Sequence, residues 1–151
     1  MLFEKSCGAV VFSDKTTDCG MTKKYVLMIK QTAASKFSFP KGHVEAGESE
    51  IQTAEREVYE ETSVKIEISD KFRSTVHYCP RPGAKKEVVY FVARTKPCEV
   101  RPREGEIVEV KWVDVDAAGD MLAHANDKKV FLSALEYEKN ISMRKTLQNQ
   151  R

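Results

Sequence analysis

Residues 42–64 read GHVEAGESEIQTAEREVYEETSV. Ser49 is followed three residues later by Gln52, the reciprocal pairing of a capping box that opens a helix. Ile51, Ala54, Val58 and Thr62 then recur at helical spacing, which predicts an amphipathic helix over residues 49–62. On the side flanking that apolar stripe lie Glu57, Glu60 and Glu61, related by i, i+3 and i+4. The helix carries five glutamates from Glu50 onward and a single basic residue, Arg56. Carboxylates packed this closely repel one another. Taken alone, the pattern fits a solvated acidic face or a site for a hard divalent cation. Mg²⁺ and Mn²⁺ take carboxylate oxygens and keep further positions for water or phosphate. Gly42 and Gly47 mark residues 41–48, ahead of the helix, as a loop.

Working outward, residues 5–13 and 24–30 are apolar runs of strand length, the second buried on both faces. Residues 37–40 form a short alternating stretch ended by Pro40. Beyond the helix, residues 64–68, 72–78 and 87–95 read as strands, with a turn at Pro80-Arg81-Pro82-Gly83. Residues 108–115 alternate as a half-buried strand with Trp112 in the core. A short helix is expected over 116–123 and a longer amphipathic one from 127 to about 145. The polar tail after about Met143 is expected to fray. Strands around a central helix, with another helix last, predict one mixed α/β layered domain over residues 1–151.

Composition bounds the function. Hydrophobic residues make up 41% and charged residues 32%, too apolar for a disordered chain. Lys plus Arg number 25 against 23 Asp plus Glu, a net charge of +2, which argues against a dedicated nucleic-acid or membrane-surface protein. No run approaches the roughly 18 apolar residues of a membrane span, and no signal pattern opens the chain, so a cytoplasmic location is expected. Cys7, Cys19, Cys79 and Cys98 form no C-x-x-C pair and are expected as free thiols without zinc. Neither G-x-G-x-x-G nor a phosphate-binding G-x-x-x-x-G-K-[ST] occurs.

Gly42, then Glu48 after five residues, then Arg56-Glu57-Val58-Tyr59-Glu60-Glu61 after seven more, and finally Val64, resembles the signature of the Nudix hydrolase family, G-x5-E-x7-R-E-U-x-E-E-x-G-U, where U is bulky and aliphatic. Ser63 stands where the family has glycine, a position suited to a left-handed helix cap. The resemblance implies a Nudix-type α/β/α sandwich with a mixed central sheet. It also implies Mg²⁺ or Mn²⁺ held by Glu57, Glu60 and Glu61, with Glu60 a further ligand or a base working through water. A backbone carbonyl near Lys41 or Gly42 would be an additional ligand. Gly42, Glu48 and Arg56 would be structural parts of the motif, the last two as an orienting ion pair.

The wider string Pro40-Lys41-Gly42-His43-Val44-Glu45 is similar to the asymmetrical diadenosine tetraphosphate (Ap4A) hydrolase group within that family. So is Tyr78 followed by Lys85, Lys86 and the strand Glu87–Phe91. The resemblance implies that Lys41, His43 and Lys86 face a polyphosphate and that Tyr78 stacks on a base. Glu106, six residues before Trp112, is the implied fourth metal-site carboxylate, with Glu104 as the alternative. The expected reaction is hydrolysis of Ap4A to ATP and AMP. A modified nucleoside triphosphate, a diphosphoinositol polyphosphate or capped RNA are alternative substrates, and a nucleotide-sensing domain without catalysis is a third reading.

Overall fold

The computed structural model describes residues 1–150, apart from the side chains of Ser69 and Asp70. Six strands and three helices follow in the order β1 (Leu2–Thr16), β2 (Thr22–Gln31), β3 (Lys41–His43), α1 (Glu50–Thr62), β4 (Glu67–Tyr78), β5 (Ala84–Arg94), β6 (Ile107–Asp114), α2 (Val115–Met121) and α3 (Ala125–Asn149). The sheet runs β4-β5-β1-β2-β6, with β3 paired to β1 off this path. β1 and β5 are parallel and the remaining pairs antiparallel, so the sheet is mixed, as expected.

The central strands are apolar throughout because both their faces are covered. Successive residues of β1 point to opposite sides. Ala9 and Val11 pack with Leu27, Ile29 and Val58 on the α1 side. Val10 and Phe12 pack with Met28, Tyr90, Val130, Phe131 and Ala134 on the α3 side. Two apolar layers on one sheet make the three-layer sandwich.

Several boundaries depart from the sequence reading. Residues 41–48 are not loop throughout: Lys41–His43 is a strand antiparallel to Ser6–Gly8. Gly8 permits that pairing, since a Cβ there would lie 2.2 Å from the Pro40 carbonyl oxygen. The two strands expected at 64–68 and 72–78 are one, β4, with a shift in register between Ser69 and Arg73. Such a bulge breaks the alternation that marks a strand. The chain beyond Met143 continues as α3 to Asn149. Trp112 is half-buried, its indole N–H donating to the Cys98 carbonyl at 3.1 Å. The four cysteines are free thiols. Among the described residues no helix is long and apolar enough to cross a membrane.

Candidate active site

Helix α1 starts as its sequence demands. Ser49 Oγ accepts from the Gln52 N–H at 3.1 Å, and Gln52 Oε1 accepts from the Ser49 N–H at 2.9 Å. It ends on Ser63, which takes the left-handed conformation (φ 65°) that glycine adopts without strain, its N–H reaching the Tyr59 carbonyl at 2.8 Å. The helix is therefore fixed at both ends, and its apolar face presses Val58 into the core.

That anchoring draws two glutamates inward. Glu57 is 9% exposed and Glu61 4%. Burial, and then the charge of Glu57, push the Glu61 carboxyl up to about 8. Its Oε1 accepts from the Lys41 N–H at 3.2 Å. Its Oε2 is buried with no hydrogen-bond partner. A lone-pair oxygen left unsatisfied in the interior is costly unless a proton or a cation completes it.

Arg56 ties the preceding loop to the helix. Its Nε and Nη2 donate to the two oxygens of Glu48 at 2.7 and 2.9 Å, and Nη2 also reaches the His43 carbonyl at 2.9 Å. Thr53 Oγ1 and the Glu45 N–H complete the Glu48 carboxylate at 2.9 and 3.0 Å. The Arg56 guanidinium holds the Glu48 carboxyl down to about 2. Arg56 Nη1 donates to Glu57 Oε1 at 2.7 Å, which leaves Glu57 Oε2 free for another partner. Gly42 makes room for this carboxylate: a Cβ there would lie 2.0 Å from Glu57 Cδ.

A cavity of about 300 Å³ opens over these groups. Glu57, Glu61 and Glu106 line it together with Lys41, Gly42, His43 and Lys86, so most of the residues singled out in the sequence converge on one place. Glu60 stands apart, exposed, with its carboxylate turned to Arg56 at 3.2 Å and Arg103 at 3.4 Å. Glu104 is not on the cavity wall, which leaves Glu106 the better placed of the two. His77 pairs with Glu87 at 2.9 Å and lies outside this cavity. Arg103 and Ser6 line the cavity without having been singled out. The run Arg103-Glu104-Gly105-Glu106 carried a signal for the first, whereas Ser6 sits inside a strand and gave none.

A second cavity, of about 320 Å³, shares Lys41 with the first and holds Tyr78. Phe37, Val76 and Val88 form apolar wall, and Gln31, Lys36, His124, Asn126 and Asp127 line it with polar groups. Tyr90 is fully buried, edge-on to Phe39 with centroids 6.0 Å apart, and also borders this space. Lys86 is pushed down from the ordinary lysine value by burial and then by Lys41. Two ammonium groups this close suit an anion lying between them.

Among the described residues no three acidic, histidine or cysteine side chains already form a cation cage. The donor set nonetheless fits a hard divalent ion. The ligands on offer are carboxylate oxygens, one of them buried and unpartnered, and the Gly42 cradle holds Glu57 beside them.

The family model for the NUDIX domain matches residues 3–135. The chain is 30% identical to the asymmetrical bis(5'-nucleosyl)-tetraphosphatase of Sus scrofa, over 85% of this chain and 90% of that one. It is also 30% identical to an 8-oxo-(d)GTP phosphatase of Mycolicibacterium smegmatis, over 83% of this chain but only 39% of the relative's length. Among solved structures, a C. elegans Ap4A hydrolase binary complex superposes with a TM-score of 0.78 at 25% identity, covering 91% of this chain and 98% of that one. A match over that much of the chain, on the loop and helix that carry the buried carboxylates, makes the protein a member of the Nudix hydrolase family.

Proposed function

We propose that this Nudix pyrophosphohydrolase splits Ap4A into ATP and AMP. The observation that carries the reading is the cavity where Glu57 and Glu61 face Lys41 and Lys86, joined through Lys41 to a second space large enough for a base. The Sus scrofa relative and the C. elegans neighbour, both of that activity by name, support it.

In this reading Lys41, His43, Lys86 and Arg103 hold the polyphosphate by charge, and Tyr78 lies against an adenine. Glu57, Glu61 and Glu106 would hold Mg²⁺ or Mn²⁺, with Glu60 at the rim. When bound, the ion acidifies water and offsets phosphate charge. A glutamate of this set accepts the proton of the attacking water, whose oxygen bonds to phosphorus as the bridging P–O bond breaks. Glu48 and Arg56 act earlier, by fixing the loop that places Gly42 and the Lys41 N–H against the two inner carboxylates. We place the reaction in the cytoplasm.

A second reading, a modified nucleoside triphosphate as substrate, is favoured by similarity to the mycobacterial phosphatase and by the enclosed second cavity. A panel of Ap4A, 8-oxo-dGTP, ATP, ADP-ribose and an inositol pyrophosphate, incubated with the protein and Mg²⁺, tests both. ATP and AMP in equal amounts from Ap4A is the expected result. Turnover of another member with Ap4A untouched overturns it.

A further inference from the structure

One hydroxyl at the wall of the carboxylate cavity has no part in the reaction above. Ser6, in β1, lines that cavity and is 0% exposed, and among the described residues its Oγ has no hydrogen-bond partner. Alternation along β1 sets its direction. Cys7 and Ala9 pack on the α1 side, so Ser6 stands on the other face with Val10 and Phe12. Paired residues of neighbouring strands point the same way. His43 of β3 and Val88 of β5 pair with Ser6 itself. Two residues to either side, Lys41 pairs with Gly8 and Lys86 with Glu4. Two lysines and a histidine therefore stand around the hydroxyl on one face. Glu4 shares that face, but its carboxylate is taken by Arg81 at 2.6 Å.

A serine hydroxyl closed into a strand without a partner lowers stability, and alanine would fill the place without that loss. What the hydroxyl adds is a directed O–H donor, and its neighbours indicate what would accept from it. Lysines draw an anion from long flexible stems and leave its position loose. A hydroxyl on a paired strand fixes one oxygen of that anion. We propose that Ser6 is a substrate-binding residue, its Oγ–H donating to a non-bridging phosphate oxygen that lies between Lys41, His43 and Lys86. The proposal rests on the reading that this cavity takes a polyphosphate. Ser13 supplies a matched control. It is 1% exposed and its Oγ also lacks a partner among the described residues. Yet it pairs with Tyr25 of β2, about 23 Å along β1 from Ser6.

The test is equilibrium binding to the intact protein with Mg²⁺, by calorimetry. The probes are inorganic tripolyphosphate, Ap4A with methylene groups in place of its bridging oxygens, and adenosine. Ser6→Ala is expected to weaken binding of the two phosphate probes by at least about tenfold, the worth of one hydrogen bond to a charged group. Adenosine, which carries no phosphate, is expected to bind within about twofold of wild type, and Ser13→Ala to leave all three within about twofold. Without ligand, Ser6→Ala is expected to melt at or above the wild-type temperature, since it loses only an unpaired hydroxyl. A lower melting temperature would make the hydroxyl structural and overturn the proposal. So would unchanged affinity for both phosphate probes, or an equal loss for adenosine. The two phosphate probes separate the failures. Wild type that binds both, with Ser6→Ala binding them equally well, overturns this inference alone. Wild type that binds tripolyphosphate but not the dinucleotide, with the Ser6→Ala loss present, overturns the proposed substrate and leaves Ser6 in its role. Binding of neither by wild type overturns both.

Discussion

Two glutamates in this molecule are buried to nearly the same degree and treated in opposite ways. Glu138, on α3, is 1% exposed, and Glu61, on α1, is 4% exposed. Each has one oxygen, Oε2, without a hydrogen-bond partner. Around Glu138 the fold places two cations, Arg94 at 2.5 Å and Lys24 at 3.2 Å, and Asp14 pairs with both of them. Around Glu61 it places two further carboxylates, Glu57 and Glu106, and a backbone N–H. The first cluster balances its own charge and ties β1, β2, β5 and α3 together. In the second, cations reach Glu57 and Glu106 but, among the described residues, none pairs with Glu61 itself, at the point where a cavity opens. A buried acid with its counter-charges built in is structure; one whose counter-charge must arrive from outside is a site.

The sharpest way to break this comparison is to remove each charge and watch activity. Glu61→Gln is expected to lower kcat by at least about a thousandfold, since in the proposed site the cavity would lose a buried carboxylate that holds the ion. Glu138→Gln, remote from the cavity, is expected to keep kcat within about threefold. Steady-state assays on the substrate found in the panel check both. Similar losses for the two variants would erase the distinction.

Stability should respond in opposite directions. Glu138→Ala leaves Lys24 and Arg94 with Asp14 as their remaining carboxylate and is expected to cost about 2 kcal/mol, read from denaturant unfolding. Glu61→Gln relieves the repulsion with Glu57. In metal-free buffer at pH 8 it is expected to raise the melting temperature by about 3–6 °C, the size that roughly 1.5 kcal/mol produces in a domain of this length. The sign follows from the raised carboxyl. Between 4.5 and about 8 the folded protein keeps a proton on Glu61 that the unfolded chain has lost, so wild-type stability falls as pH rises. The advantage of the variant therefore opens over that window, and a melting series from pH 5 to 8 shows it. A constant gap across the series would place the effect elsewhere.

The smallest effect is at Glu48, whose slope runs the other way. Arg56 holds that carboxyl down to about 2, below its ordinary 4.5, so its contribution is complete above 4.5 and is lost as pH falls toward 2. Glu48→Gln is expected to be the less stable protein at pH 7 and to meet the wild type in acid. Parallel acid-unfolding curves for the two would remove the Glu48–Arg56 pair from the stability of the loop.

What could be read from the chain alone was local. The capping box, the apolar stripe of α1 and the spacing from Gly42 to Glu61 are all properties of neighbouring residues, and the structure keeps them together. The grouping of Glu57, Glu61, Glu106, Lys41, His43 and Lys86 on one cavity was legible only through the resemblance, because it brings together β3, α1, β5 and a loop. β3 was missed because three residues, Lys41-Gly42-His43, are too few to show a period. What makes them a strand is Gly8, more than thirty positions earlier. β4 was split in two because its register shift interrupts the alternation. Asp127 gave no signal at all. An aspartate in the first turn of a helix is ordinary, and only the packing of α3 onto the sheet turns it inward.

Lys41 is, with Gln31, where the two cavities meet. Its N–H fixes Glu61, and the residue lines both spaces, on a strand three residues long. Any shift of that strand caused by a guest in one space is felt in the other, and linkage makes the influence mutual by the same factor. In the proposed reading, recognition and chemistry therefore meet at this short strand. A change in what the protein prefers to hold cannot be tuned independently of how it sets its carboxylates.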